Sequence, residues 1–353
     1  MILLVSVIEV VVCLLVLCVS RLVRNRREHV RREAAAATRP LVLRVTAGED
    51  TSADAALAAL DKHSWRATQP TVLRLLGSVK GGSHSSLTDI LLRRGVVDQA
   101  LADGARPHGL RRAHAASLLA LTGDALKADP LRGPAARTTL HALLTDRNAT
   151  VREAAVRALG RVGDADSARL LLAALRSPLA VAPGLTGDAL IRIGPAAVPA
   201  LIEAVHATGG QQRALAVELL GLIRDRRAVA TLSAALDDDS AAVRASAAAA
   251  LGRVAEPAAV PALIHSVRAD PSARVAVAAA EALGLIGDQS AIPVLREALT
   301  AQGYRLAHTA AHALLRLGPT GRGALTDSTL APGAAAHAHE VLATAQVMAG
   351  GGR

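Results

Sequence analysis

His308 and His312 stand four residues apart in the run His-Thr-Ala-Ala-His, a spacing that sets two imidazoles on one helix face, where they can hold a metal ion. The glutamate that metal-dependent hydrolases place inside such a run as general base is missing. His337, His339 and Glu340 follow in His-Ala-His-Glu and could add donors. Histidines on helix surfaces more often ligate nothing, so the expectation is no metal and no cofactor. The alternative is an accessory protein that holds a small ligand or metal at these histidine-rich C-terminal residues. No glycine-rich phosphate loop or nucleophile motif appears elsewhere, and the chain is expected not to be an enzyme.

The elements that carry these residues repeat. VREAAVRALGRVGD (151–164) recurs as QRALAVELLGLIRD (212–225), VRASAAAALGRVAE (243–256) and VAVAAAEALGLIGD (275–288), with weaker copies around Leu118, Leu190 and Leu314. From Leu159 through Leu190, Leu220, Leu251 and Leu283 to Leu314, successive marker leucines lie 31, 30, 31, 32 and 31 residues apart. Such a period is the mark of a stacked-repeat architecture. Between the copies lies a second amphipathic segment, such as AAVPALIEAVHA (196–207) or AAVPALIHSVRA (258–269), so each repeat reads as a helix pair. Pro199, Pro261 and Pro293 fall near the start of the first helix, where a missing N–H is tolerated. Gly163, Gly194, Gly287 and Gly318 fall at the end of the second, suited to a left-handed stop.

This pattern resembles the HEAT family in its short form, familiar from phycobilin lyase-type repeats, most strongly over residues 110–319. The resemblance implies an all-α, right-handed α-solenoid of stacked helix pairs whose second helices line the inner face. It also implies that Arg111, Arg152, Arg213 and Arg244, with the turn residues Asp124, Asp164, Asp225 and Asp288, form a structural ladder between repeats. HEAT-type hydroxylases acting on a modified lysine repeat His-Glu pairs as iron ligands; this chain has one pair, His339-Glu340, and that reading fails. A lyase accessory function falls under the alternative above.

Three positions per second helix are left over from the core, four residues apart on one stripe. One row of the stripe repeats arginine: Arg161, Arg192, Arg253 and Arg316. Arginines so spaced can grip carboxylates on a partner. The middle of the stripe mixes apolar and acidic residues, among them Glu218, Leu222, Val277, Glu281 and Leu285, and His312 closes it. A surface of this kind suits a partner helix or extended peptide. These ten residues are the expected partner-binding set.

The net charge is +10, with its densest stretch near the N-terminus and +6 spread along residues 41–353. Seven arginines lie between positions 21 and 40, against Glu28 and Glu33. They follow an 18-residue run, ILLVSVIEVVVCLLVLCV (2–19), broken only by Ser6 and Glu9, which is about long enough to cross a bilayer. Positive charge after the apolar run rather than before it reads as a retained anchor with its N-terminus outside, not a cleaved signal. Arg21 to Arg32 would meet anionic lipid. Cys13 and Cys18, the only cysteines, lie in the same run and imply no disulfide framework. Aromatics make up 1% of the chain and only Lys62, Lys80 and Lys127 are lysine, so base-stacking platforms and nucleic-acid binding are not expected. The organisation expected is an anchor over 1–20, a basic juxtamembrane segment over 21–48, the solenoid over 49–330, and a capping helix and tail over 331–353. The function expected is a scaffold at the cell membrane, cytoplasmic beyond its single span, that holds another protein, as bacterial anchored HEAT proteins do.

Overall fold

The computed structural model describes residues 2–48, 51–106, 109–179, 181–207 and 209–350. The side chains of residues 2–14 and of several others up to 32, of 51 and of 348–350 lie outside that description. Every regular element among the described residues is helical. The chain divides into two compact units, Met1–Leu143 and Leu144–Arg353.

The first unit holds α1 (Ile2–Ala47), α2 (Thr51–Ala58), α3 (Lys62–Leu76), α4 (Gly82–Arg93), α5 (Val96–Gly104), α6 (Gly109–Leu121), α7 (Gly123–Ala128) and α8 (Arg132–Leu143). The last turns of α1 belong to its core: Val42 and Val45 are buried, and α1 packs on α2, α3 and α4. Thr38 and Thr68 share a buried hydroxyl hydrogen bond of 2.7 Å, and the Ser83 hydroxyl donates to the Thr46 carbonyl at 2.7 Å. The end of the segment expected to be juxtamembrane is thus built into the fold. Trp65 is buried beneath the Arg94 guanidinium, 4.6 Å from the ring centre, a cation–π contact.

The second unit holds α9 (Ala149–Val162), α10 (Ala165–Ala174), α11 (Pro183–Ile193), α12 (Val198–Ala207), α13 (Gly210–Ile223), α14 (Val229–Ala234), α15 (Ala241–Val254), α16 (Val260–Ala269), α17 (Ala273–Ile286), α18 (Ile292–Leu299), α19 (Tyr304–Arg316), α20 (Gly318–Leu325) and α21 (Pro332–Gly350). Second helices α9, α11, α13, α15, α17 and α19 stack in order, each on the next. The marker leucines 159, 190, 220, 251, 283 and 314 are fully buried between the layers, each contributing about 2 kcal/mol of apolar burial.

Close stacking depends on a glycine that follows the marker leucine. A Cβ on Gly221, Gly252 or Gly284 would lie 2.6–2.7 Å from the Cα of Ala250, Ala282 or Ala313 on the next second helix. Glycine facing alanine lets the helix backbones touch. Four residues after each marker the helix stops. Gly194, Gly287 and Gly318 take φ of 73°, 82° and 75°, and Arg224 and Ala255 are held at 59° and 57° in the same left-handed region. Gly163 departs from the expected stop, since its backbone is extended at φ −64° and ψ 161°.

The expected ladder has different acids. Asp225 and Asp288 cap the short turns that open the next first helix, accepting from Arg227 N at 2.9 Å and Ser290 N at 2.8 Å. Asp164 likewise accepts from Ser167 N at 3.0 Å. The partners of the position-one arginines precede the following second helix. Arg213 pairs with Asp238, and Arg244 grips Asp270 through two hydrogen bonds of 2.7 and 3.0 Å while its Nη1 donates to the Asp238 carbonyl. The Arg244 hydrogen bond holds the Asp270 carboxyl below the ordinary carboxylate range.

The stretch Pro183–Ala207 is long and apolar enough to cross a membrane by composition. It is two helices, α11 and α12, parted at Gly194, and its Leu190, Ile193, Val198 and Leu201 are buried. It is repeat core. No other such stretch occurs among the residues whose side chains are described. The expected anchor is helical backbone from Ile2 within α1, and most of its side chains, Glu9 and Cys13 included, lie outside the described residues.

Candidate functional site

The stripe left over from the core falls on α9, α11, α13, α15, α17 and α19. Of the expected set, Arg192, Glu218, Leu222, Glu281, Leu285 and Arg316 are exposed, and Arg161, Arg253, Val277 and His312 are half-buried. Leu222 and Leu285, each in the last turn of its helix, are 41% and 45% exposed. Ala245 of α15, at the register of Val277, is buried instead, as a small residue suits where helices approach closely.

Charge is handled differently on the stripe and off it, where the second-helix Arg213 and Arg244 are tied to the next repeat. Along the first helices, charges are tied between successive repeats: Arg169 to Glu203 at 3.6 Å, Arg268 to Glu297 at 2.9 Å, and Arg296 to Asp327 at 2.8 Å. In the turn before α14, Arg226 meets Glu256 of the next repeat at 2.8 Å. Along the second helices, Glu153 and Arg157 pair within α9 at 3.1 Å. Among the described residues, Arg161, Arg192, Glu218, Arg253 and Glu281 enter no ion pair. Their charges face outward beside the exposed leucines.

His312 belongs to another group. Its Nε2 lies 3.2 Å from His308 Nε2 on α19, and burial, then His308 and Arg316, push its imidazole below its ordinary range. Tyr304, one turn before His308, stacks on the His308 ring with centroids 5.3 Å apart and donates a 3.0 Å hydrogen bond to Glu340 Oε1 on α21. That bond raises the Tyr304 pKa. The His337 ring meets Tyr304 edge-on at 5.1 Å. His308, His337 and Glu340 bring one donor atom each to within 4.8 Å of the others. The sequence displayed all of these residues except the position of Tyr304, because only the docking of α21 on α19 brings the two runs together. His339 shows no contact with the group among the described residues.

Stacked helix pairs with a buried leucine ladder, and second helices presenting an open stripe, define an all-α solenoid of the repeat class. The chain belongs to the HEAT repeat family: the family described as HEAT repeats matches residues 99–182, 198–276 and 266–345, well over half of the sequence. Among solved structures it is similar to importin beta in an ammonium sulfate condition, with 13% identity, 87% of this chain and 47% of that chain covered, and a TM-score of 0.50. The chain thus spans about half the length of that importin beta. It is also similar to human deoxyhypusine hydroxylase in complex with glycerol, at 19% identity over 82% of this chain and 97% of that one with a TM-score of 0.32. A third is the CpcE–CpcF complex of phycocyanin lyase from Nostoc sp. PCC7120, at 21% identity, 68% and 91% coverage and a TM-score of 0.30. At these identities the likeness concerns the fold. No curated protein gives a significant match.

Proposed function

We propose that this protein is a membrane-tethered HEAT scaffold that holds another protein on its second-helix stripe and carries out no chemistry of its own. The observation that supports this reading most is the contrast in charge. Off the stripe, Arg169, Arg268 and Arg296 of the first helices and Arg213 and Arg244 of the second are paired between neighbouring repeats, whereas the stripe residues Arg161, Arg192, Glu218, Arg253 and Glu281 have no ion-pair partner among the described residues. Unpaired arginines and glutamates around exposed Leu222 and Leu285 form a surface with apolar anchors and a charged rim, the usual anatomy of a protein-binding patch. Arginine rows of this kind favour a partner segment bearing carboxylates.

The tether rests on the apolar run 2–19 followed by the arginines from Arg21 to Arg32, which puts the repeats on the cytoplasmic side and the arginines against anionic headgroups. Removing residues 1–20 is expected to move the protein from the membrane fraction to the soluble fraction, while persistence at the membrane would place the attachment elsewhere. Photo-crosslinking from Leu222 and Leu285 in native membranes tests the binding stripe.

A further inference from the structure

We propose that His308 of α19 and His337 and Glu340 of α21 form a binding site for a divalent transition-metal ion, Zn²⁺ being the one this donor set suits best. Two imidazoles and a carboxylate are a recognised ligand set for zinc, with a fourth position left to water or an incoming ligand. His337 and Glu340 are three residues apart on α21, so they share a face.

Two independent features point to a cation. The first is an unsatisfied atom. His308 Nδ1 is buried and has no hydrogen-bond partner, and an unmatched buried nitrogen is costly unless something fills it. The atom facing it is Glu340 Oε2, at 3.6 Å. That is too long for a hydrogen bond, yet close to the roughly 3.3 Å between two ligands of a tetrahedral ion with bonds near 2.0 Å. His337 completes a triangle no wider than 4.8 Å, which a small rotamer change closes around an ion.

The second feature is that the atoms not needed for an ion are already engaged as the outer partners of metal ligands are. Glu340 Oε1 accepts from the Tyr304 hydroxyl at 3.0 Å, which leaves Oε2 turned toward His308. The other nitrogen of His308, Nε2, lies 3.2 Å from His312 Nε2 and can donate its N–H to a neutral His312, at the position where a metal-ligating histidine usually donates to a carboxylate, carbonyl or water. Tyr304 stacks on His308 and fixes the plane of its ring. The ion would bridge α19 and α21 and so clasp the last helix to the repeat stack.

The test is titration of the purified full-length chain with Zn²⁺, and with Co²⁺ for its visible absorption. Stoichiometric binding and the absorption of a tetrahedral Co²⁺ site are expected. His337→Ala and Glu340→Gln should weaken binding by more than about 100-fold, and Tyr304→Phe, which acts through Glu340, by about 10-fold. His339→Ala, two residues from His337 and outside the cluster, should bind as the parent does. Because His337 is not fully buried, its loss leaves the fold intact, and an unchanged circular dichroism spectrum verifies this. No stoichiometric binding by the parent chain, parent-like binding by His337→Ala, or equal loss in His339→Ala would each overturn the site.

Discussion

Ala255 occupies the stop position where Gly287 and Gly318 stand in later repeats, and it holds φ of 57° there. A left-handed conformation costs an L residue roughly 1–2 kcal/mol, and glycine gives back about 0.5–1 kcal/mol through its freer unfolded chain. Ala255→Gly should therefore raise stability by about 1 kcal/mol, read as a higher denaturant midpoint with an unchanged slope. At this scale the sequence exposed much of the site, since His308, His312, His337 and Glu340 are visible as two short runs. It could not show that Tyr304 bridges them, because a hydroxyl reaching Glu340 from another helix leaves no local pattern. It also misdirected the ladder. The recurring Asp225 and Asp288 share a register with each other but cap turns, while the pairing acids, Asp238 and Asp270, stand at another shared register, five residues before Val243 and Val275.

The elements were the most legible part, because a buried leucine every repeat produces a period that survives sequence drift. What the period does not reveal is how closely the helices pack. The glycine after the marker leucine carries that information. A Cβ at Gly252 would lie 2.7 Å from Ala282 Cα and 2.9 Å from its Cβ. Relief requires the backbones of α15 and α17 to part, a strain of roughly 1–3 kcal/mol set against the helix preference of alanine. Gly252→Ala should lower stability by about 1–2 kcal/mol. Gly184→Ala, on α11 with nothing within 4 Å of the added carbon, should leave stability unchanged or raise it. Chemical denaturation of both variants checks the pair, and a destabilised Gly184→Ala with an unaffected Gly252→Ala would contradict the seam.

For the whole molecule, the HEAT stack supplies an extended surface, and the proposed function depends on which part of that surface is left unsatisfied. The exposed leucines of the second helices have a counterpart that serves as control: Leu170, on first helix α10, is 42% exposed, comparable to Leu222 and Leu285, but lies beside the tied charges of Arg169 and Glu203. Apolar exposure alone would make the three equivalent. Photo-crosslinkers placed singly at Leu222, Leu285 and Leu170 in native membranes separate the two possibilities most directly. Leu222 and Leu285 are expected to yield the same discrete protein adduct, weakened when Arg192 and Arg253 are changed to Glu, and Leu170 is expected to yield none. Adducts to lipid alone or no adduct from Leu222 and Leu285, or the same adduct from Leu170, would contradict the proposed function.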